Sequence, residues 1–386
     1  MSEGRTLIVG AGLAGLALGA ALRRAGRPYE IVERRAPGDH DGAGLQLAGN
    51  AVRVLAALGL ARTLADRAYR AESLHYTDAA GATLFRIDLA RRFPRWPFFG
   101  VLRGELRALL LEAAGPENVR YETSVAGLHE HPDRIEVGFQ DGSEDGFALV
   151  VGADGIGSPL RQRIFPEARR EPFGSYWSWR FVAPCPADLR EPCFMLGVER
   201  TLLLYPVGRG RLYGGAGPIR MAGEPPRGAA LLPWLRDAYS GFGGHAERVL
   251  AGLDDPAALA ASRVESVRLG RWHRGHVLLI GDAAHACPPT LAQGAAQALE
   301  DAQVLAYLLS EGGTPSGTLP ALEGTLRAFE QRRRPRVEAV QAASRSRMTV
   351  TEVREPAPLA IRDALLRQIG AERLDSGWRP WIDVEP

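Results

Sequence analysis

The chain contains no lysine, so all 47 of its basic residues are arginines. Schiff-base chemistry and the usual phosphate-binding loop both need a lysine side chain, which excludes pyridoxal-type enzymes and P-loop hydrolases. The 45 acidic residues nearly balance the basic ones and leave a net charge of +2. Binding to nucleic acid depends on a concentrated basic patch, and the sequence has none, so we expect no nucleic-acid partner.

Cysteine is scarce, and no histidines cluster at the spacing of metal ligands. Cys185, Cys193 and Cys287 form neither a CxxC pair nor an even set. We therefore expect no disulfide, no metal and a reducing, cytoplasmic location. The apolar stretch from Leu7 to Leu22 is short for a membrane span and has glycines at the positions of a fingerprint motif, so we predict neither a span nor a signal peptide.

The first segment of the sequence, residues 6–32, has a βαβ pattern. The sequence predicts a buried strand at Thr6–Val9, a glycine turn at Gly10–Gly15, a helix at Leu16–Arg24 and a second strand at Tyr29–Val32. In such a unit the first glycine allows a tight turn, and the second lets a pyrophosphate approach the backbone. The third lets the helix pack closely on the strand.

Glu33 ends the second strand, about twenty residues after the turn, where a carboxylate accepts hydrogen bonds from a ribose. Its charge disfavours the additional phosphate of NADP. The pattern thus predicts a site for FAD or NAD. The residues that we assign to this site are Gly10, Gly12, Leu13, Ala14, Gly15, Glu33 and Arg34.

A second motif, GADGIGSPLR, follows a predicted strand at Leu149–Gly152. The Asp154 carboxylate and its glycine turn can approach a cofactor from the side opposite the first motif. Ser158 and Pro159 are favourable residues for starting a helix.

A third motif, GDAAHACPPTLAQGAAQALEDA, follows a predicted strand at Val277–Ile280. A helix is predicted to begin at Gln297, and its positive end can face an anionic group. The residues that we assign to the cofactor here are Gly281, Asp282, Gln293, Gly294, Ala295 and Ala296.

The three motifs, in this order, resemble those of the group A flavoprotein monooxygenases, the para-hydroxybenzoate hydroxylase-like family. The resemblance implies an α/β fold in which a discontinuous Rossmann-type FAD-binding domain is combined with an inserted, mainly antiparallel β-sheet substrate domain and C-terminal helices. Alternating apolar and polar residues at Glu72–Asp88 and Pro172–Pro218 independently predict antiparallel strands.

We expect the FAD-binding domain to comprise residues 1–71, 100–171 and 263–347, and the substrate domain to comprise residues 72–99 and 172–262. Residues 348–386 would form a C-terminal helical segment. Leu319–Arg347 is predicted to be helical, and the arginine run Arg332–Arg334 within it is predicted to form a solvated face.

The resemblance also implies further cofactor contacts. The segment Gly42–Leu60, with Gly44 and Leu45, is similar to one that passes beside the flavin ring in the family. By the same resemblance Asp282 contacts the ribityl chain, Arg103 contacts the cofactor, and the Val125 backbone lies on the adenine side. The family often has asparagine at Ala296, so a side-chain hydrogen bond near the flavin would be missing here.

The chemistry implied by the resemblance begins with reduction of FAD by NADH or NADPH. Reduced flavin adds O₂ at C(4a), and the hydroperoxide passes one oxygen atom to an electron-rich carbon of a small aromatic or heteroaromatic substrate. The sequence has no second GxGxxG for the nicotinamide nucleotide, and the family also lacks one. A homodimer is compatible with this interpretation.

Candidate substrate residues come from YWSWRF and LLLYPVG. Arg180 matches a segment of salicylate- and urate-hydroxylase-like members in which an arginine faces the substrate. Its fork can bind a carboxylate or phenolate, or it can stack at the surface on Trp177 or Trp179. Tyr205 is a second candidate, although strand tyrosines also serve as packing residues, and Tyr213 has the same ambiguity.

Two further candidates lie in the third motif. His285 is interpreted as a residue that orders its loop or, alternatively, as a base. Pro288, with Pro289, has no N–H group and fits a rigid wall beside the flavin. Cys287 is interpreted as a small packing residue.

These observations predict an FAD-dependent monooxygenase that hydroxylates an aromatic or heteroaromatic small molecule. An epoxidase or other oxidative tailoring enzyme on the same scaffold, and a non-catalytic flavin-binding protein, are the alternatives. Phe181 and Val182 break the WxWxIP motif of flavin halogenases, whose active-site lysine is also absent. A simple NAD dehydrogenase would leave the two later motifs without a purpose.

Overall fold

The computed structural model describes residues 4–38, 43–311, 319–348 and 356–386. Gly42, the first residue of the segment predicted to pass beside the flavin, lies outside the described residues. So do residues 349–355 of the predicted C-terminal segment.

The strands of the described ranges form four sheets. They are β1 (Thr6–Val9), β2 (Tyr29–Val32), β3 (Gly44–Leu47), β4 (Tyr69–Ala71), β5 (Ser73–Asp78), β6 (Thr83–Asp88), β7 (Phe98–Leu102), β8 (Val119–Arg120), β9 (Val125–Glu130), β10 (Ile135–Phe139), β11 (Glu144–Phe147), β12 (Leu149–Gly152), β13 (Arg170–Pro184), β14 (Cys193–Leu196), β15 (Thr201–Gly208), β16 (Arg211–Arg220), β17 (Ala260–Val267), β18 (His273–Arg274) and β19 (Val277–Leu279).

The α-helices vary from a single turn to 30 residues. They are α1 (Leu13–Arg24), α2 (Gly49–Ala57), α3 (Ala61–Arg67), α4 (Leu89–Arg92), α5 (Arg103–Ala114), α6 (Pro159–Ile164), α7 (Leu231–Ala238), α8 (His245–Ala251), α9 (Asp282–His285), α10 (Gly294–Glu311), α11 (Leu319–Met348) and α12 (Pro356–Ile382). No helix in the described ranges is both long enough and apolar enough to cross a bilayer.

A six-stranded sheet with the order β18-β19-β12-β1-β2-β8 brings the three motifs together. Strand β1 pairs in parallel with β12 and β2, and β12 pairs in parallel with β19. The apolar runs that form these strands are buried, as expected for a parallel sheet that is covered on both faces. Because the carboxyl ends of β1, β12 and β19 are adjacent, the turns that follow them meet at one edge of the sheet.

The predicted bounds of β1, β2 and β12 are confirmed, whereas two helix starts were predicted too late. Helix α1 begins at Leu13 rather than Leu16, because Gly12 is the extended N-cap residue and the last residues of the turn are already helical. Helix α10 begins at Gly294 rather than Gln297. The single-turn helix α9 within the third motif was not predicted.

A seven-stranded sheet with the order β17-β13-β16-β15-β14-β5-β6 confirms the predicted antiparallel strands, although β14 and β5 pair in parallel. Trp179, Phe181 and Leu204 on one face pack against helices α7 and α8 in one apolar cluster. The register of β13 against β16 shifts between Trp177 and Trp179. Side chains of the opposite face, among them those of Arg180 and Leu203, line a cavity.

Helix α11 packs against α10 and places Phe329 in the apolar core of the six-stranded sheet, whereas α12 packs against strand β6 and helix α2. The prediction of a solvated face at Arg332–Arg334 was wrong for Arg333, which is 0% exposed. Adjacent helical residues point about 100° apart, so the middle arginine of the run faces inward toward α10. There Glu300 and Asp301 each lie 2.8 Å from its nitrogens.

Candidate active site

A cavity of about 1250 Å³ lies between the carboxyl edge of the six-stranded sheet and the inner face of the seven-stranded sheet. We distinguish two regions of its lining. The glycine-rich region consists of residues 9–14, 32–35, 103, 107, 153–157 and 282. The aromatic region consists of Tyr76, Phe194, Leu203, Tyr213, Arg347 and Trp378.

The turn after β1 allows no side chain at its first and last glycines. Gly10 has a φ of +109°, and a Cβ atom there would lie 2.6 Å from the Ala153 carbonyl oxygen. A Cβ atom on Gly15 would lie 1.9 Å from the Gly10 carbonyl oxygen. Helix α1 has no side-chain cap on its N-terminal N–H groups, so they are available to an anion in the cavity.

Glu33 is held at the edge of this turn by two backbone groups. Its Oε2 atom accepts a hydrogen bond from Ala11 N at 2.9 Å, and its Oε1 atom accepts one from Arg35 N at 3.0 Å. Arg107 Nε donates to Ala11 O at 3.0 Å and so braces the same turn. A carboxylate oxygen accepts more than one hydrogen bond, so Glu33 can also bind hydroxyl groups.

Asp154 follows β12 and lines the cavity beside the turn. Its Oδ2 atom accepts a hydrogen bond from Leu160 N at 3.1 Å, while its buried Oδ1 atom has no hydrogen-bond partner in the described part of the chain. Burial raises the pKa of this carboxyl group. Arg161 donates to Ala283 O at 2.9 Å, which joins the second motif to the third.

Arg103 and Asp282 both line the cavity. The surrounding protein lowers the pKa of the Arg103 guanidinium by desolvation, the Asp282 carboxylate opposes this shift, and the Arg180 cation adds to it. Arg35 and Arg107 also act on Arg103, so one carboxylate and four arginines share this part of the cavity. Other predicted cofactor residues that line the cavity are Gly12, Leu13, Ala14, Arg34, Gly44, Leu45, Val125, Gly294 and Ala295.

Several predicted residues lie behind the lining rather than in it. They are Gly15, Gly281, Gln293, Ala296, Tyr205, His285 and Pro288. Gln293 Oε1 accepts a hydrogen bond from Asn50 Nδ2 at 2.9 Å and so links α10 to α2. Pro288 is buried, and the neighbouring Pro289 lines the cavity in its place.

His285 belongs to a buried polar network behind the cavity. Its Nε2 atom lies 2.6 Å from Asp301 Oδ2, which also accepts a hydrogen bond from Gly281 N at 2.8 Å. Arg333 Nε donates to Asp301 Oδ1 at 2.8 Å. Burial alone would raise the pKa of Asp301, but His285 and Arg333 outweigh it and lower the pKa to about 2. These contacts hold the GDAAH loop in place.

Tyr205 lies outside the cavity lining, although Leu203 on the same strand lines the cavity. The Tyr205 ring packs on Gly100, where a Cβ atom would lie 2.5 Å from Cδ1 of the ring. Its hydroxyl is buried and has no partner in the described residues, and burial raises its pKa well above the usual value. Tyr213, its partner across the strand pair β15–β16, lines the cavity.

Most of the aromatic region was missed by the sequence analysis. Tyr76 is stacked between Phe85 and Phe194, with ring centroids 4.4 and 4.7 Å apart. Trp378 on α12 donates a hydrogen bond from Nε1 to Leu291 O at 3.4 Å. The alternation of β5 marks Tyr76 as a strand residue but does not say which face meets the cavity. Nothing local to Arg347 or Trp378 marks either as a site residue.

Comparisons with known proteins agree with this geometry. A family model described as an FAD binding domain matches residues 3–198 and 250–344. The chain is 33% identical over 397 residues to 3-amino-4-hydroxybenzoate 2-monooxygenase PtnB3 of Streptomyces platensis, with 99% of this chain and 97% of the relative covered. It is 29% identical to salicylate hydroxylase of Pseudomonas putida, with 99% and 93% covered.

A solved structure of Klebsiella pneumoniae HpxO, complexed with FAD and uric acid, has a similar fold. Its TM-score is 0.88 at 25% identity, with 99% of this chain and 97% of that chain covered. The predicted fold class is thus confirmed.

Proposed function

Because the chain belongs to the FAD binding domain family and is a flavin-dependent monooxygenase of group A, we propose that it hydroxylates a small aromatic or heteroaromatic molecule with NADH or NADPH as electron donor. In the balanced reaction, an aromatic C–H group, O₂, NAD(P)H and a proton give the C–OH product, NAD(P)⁺ and water. The FAD cofactor supplies the electron transfer and the activation of O₂.

The glycine-rich region fits FAD. The close contacts at Gly10 and the uncapped N-terminus of α1 suit a pyrophosphate, which needs backbone N–H groups and no intervening side chain. The fixed Glu33 carboxylate suits ribose hydroxyls. The unpartnered Oδ1 atom of Asp154 needs a donor, which a hydroxyl group of the bound cofactor would supply. Arg103 and Asp282 would contribute further polar contacts.

The aromatic region fits an aromatic substrate. Phe194, Leu203 and Trp378 give it apolar walls, which exclude water and favour a flat ring. Burial raises the pKa of Tyr213 and raises that of Tyr76 to about 12. Both phenols therefore remain protonated near neutral pH, where they can orient a substrate by hydrogen bonding but cannot act as bases.

The observation that supports the proposal most directly is that one cavity joins both regions. Its volume of about 1250 Å³ exceeds the ~300–1,000 Å³ typical of a pocket for a single small molecule. The cavity therefore has room for a dinucleotide and a second, aromatic compound. The named substrates of the relatives, 3-amino-4-hydroxybenzoate and salicylate, are of this chemical class.

The test is NAD(P)H oxidation by the purified FAD-loaded enzyme under ¹⁸O₂, with 3-amino-4-hydroxybenzoate, salicylate, other phenolic acids and urate as probes. We expect at least one compound to accelerate oxidation and to gain one ¹⁸O atom as a hydroxyl group, with little peroxide released. An epoxide product would favour the tailoring alternative. Peroxide equal to the NAD(P)H consumed with every compound, and no labelled product, would contradict the proposal.

A further inference from the structure

The arginines of helix α11 differ in how their charge is neutralised. Five of them pair with carboxylates at 2.5 to 2.8 Å: Arg327 with Glu323, Arg333 and Arg336 with Glu300, Arg334 with Glu330, and Arg345 with Glu171. Arg332 is exposed to solvent and donates to Pro386 O at 2.8 Å. Arg347 differs from all of these. Within the described ranges it pairs with no carboxylate, and the one hydrogen bond described for it goes from Nη1 to Thr290 O at 3.5 Å.

The surroundings of Arg347 make an unneutralised cation unfavourable. Its half-buried side chain lines the aromatic region together with Phe194, Leu203 and Trp378, which offer no negative charge. Burial lowers its pKa, but an arginine stays charged at any physiological pH. Holding a cation against apolar walls costs free energy unless an anion neutralises its charge. The site is therefore incomplete without a negatively charged ligand.

Arg180, the arginine that the sequence favours as a substrate contact, is already engaged. Its Nη2 atom donates to Ser262 Oγ at 2.6 Å. Its charge acts on Arg103, on which the Asp282 carboxylate also acts, and on the phenol of Tyr213, so Arg180 lies where the glycine-rich and aromatic regions meet. In the described part of the chain no carboxylate acts on Arg347, and the titratable side chain that acts on its pKa is the phenol of Tyr76, on the aromatic stack.

We propose that Arg347 binds the carboxylate of the substrate and that the substrate is an aromatic acid. This inference rests on the proposed function and names the substrate class for the same site. The guanidinium forms paired hydrogen bonds with a planar carboxylate, while the aromatic ring of the acid lies against Phe194 and the other apolar walls. Arg347 is thus a specificity-determining residue on α11, outside the FAD-binding motifs in sequence, although it contacts the backbone of Thr290 in the third motif.

The test compares matched acids and amides as ligands of the FAD-loaded enzyme. The probes are 2-hydroxybenzoate, 4-hydroxybenzoate and 2-aminobenzoate, each with its benzamide, and the readout is the change in flavin absorbance on titration. In the unmodified enzyme we expect at least one acid to bind about tenfold more tightly than its amide. Arg347→Met should remove this preference and leave amide binding unchanged. Arg347→Lys should keep part of it, because the charge remains without the planar fork.

Arg180→Met is the matched control, since it removes an arginine from the same cavity; it should retain the acid preference. The FAD content and melting temperature of each variant show whether it is folded. The proposal is overturned if Arg347→Met keeps the preference in a folded, FAD-loaded protein, if Arg180→Met alone abolishes it, or if amides bind as tightly as acids to the unmodified enzyme.

The two proposals fail separately. An acid preference that depends on Arg347, in an enzyme that labels no compound with ¹⁸O, supports the binding site and contradicts the hydroxylation. Hydroxylation of a neutral compound that is unaffected by Arg347→Met supports the function and contradicts the role of Arg347.

Discussion

The two regions of the cavity are built in different ways. The glycine-rich region comes mainly from short segments that directly follow parallel strands, and close backbone approaches at Gly10 and Gly15 shape its turn. The aromatic region comes from β5, β14, β15, β16, α11 and α12, and side chains form it. A site built from backbone has a local sequence pattern, because only certain residues permit the turn. A site built from side chains depends on register and on long-range packing.

Substitution in the glycine-rich region should have the largest effect. Gly15→Ala would place Cβ 1.9 Å from the Gly10 carbonyl oxygen, so helix α1 must shift or the turn must open. We expect loss of FAD and a drop in stability of roughly 4 kcal/mol or more. The FAD-to-protein ratio and thermal unfolding measure both effects.

Gly324→Ala provides the control for this change. Gly324 is exposed on α11, and a Cβ atom there meets nothing within 4 Å. This variant should bind FAD normally and gain up to about 1 kcal/mol in helix stability. A Gly15→Ala protein with a full complement of FAD would show that the glycine-rich region is less constrained than its backbone contacts indicate.

The polar network behind the cavity should have the next largest effect. Asp301→Asn removes the charge that faces Arg333 and His285 in a fully buried position. Breaking a buried ion pair costs about 3 kcal/mol or more, so denaturant unfolding should show a clear loss of stability. The GDAAH loop would also lose an anchor, which should weaken FAD binding. Asp383→Asn, which loses only the exposed pair with Arg379, should leave the melting temperature unchanged.

The lowered pKa of Asp301 predicts how the free energy of unfolding changes at acidic pH. The Asp301 pKa is lowered to about 2 in the folded state, so its stabilising effect is present above the ordinary value near 4. This effect, about 2 kcal/mol, is lost as the pH falls from about 4 toward 2. The difference in unfolding free energy between the unmodified protein and Asp301→Asn should therefore shrink over this interval. A difference that stays constant would contradict the assignment.

Glu33→Gln should weaken FAD binding in the glycine-rich region by a smaller amount. The amide keeps the shape of the side chain but loses the negative charge and one acceptor, so hydrogen bonds to Ala11 N and to the ribose are weakened. We expect FAD to dissociate about tenfold more readily, measured by flavin fluorescence on dilution. Glu30→Gln, on the strand that precedes Glu33 but paired with Arg5 at 3.4 Å, should retain the original affinity.

Phe194→Leu tests the aromatic region and should have the smallest effect. The variant removes one ring from the stack with Tyr76 but leaves an apolar wall, so FAD should be retained and the substrate KM should rise about threefold to fivefold. Phe85→Leu, on the other side of Tyr76 and outside the cavity lining, should lower stability without raising KM. Equal KM effects in the two variants would remove the distinction between lining and packing.

Prediction from the sequence succeeded where the local pattern determines the structure. The bounds of β1, β2 and β12 followed from short apolar runs flanked by glycine turns. Prediction failed where long-range packing decides. Arg333 sits in an arginine run but faces inward because α10 supplies two carboxylates. The sequence alone does not show that α10 lies opposite Arg333.

The sequence also did not predict which face of the seven-stranded sheet each side chain points to. Tyr205 and Tyr213 are cross-strand partners, yet Tyr213 lines the cavity and Tyr205 packs on Gly100. The irregularity between Trp177 and Trp179 also changes which residues of β13 face inward. The roles assigned to individual site residues stay predictions until the variants above are measured.

Helix α12 bears on how such an enzyme diversifies in evolution. It contributes Trp378 to the aromatic region but supplies no residue to the glycine-rich region. A lineage can therefore accumulate substitutions along this helix, and so accept new compounds, while the ancestral cofactor machinery is inherited intact. Changes in substrate preference through α12 thus need not replace any residue of the glycine-rich region.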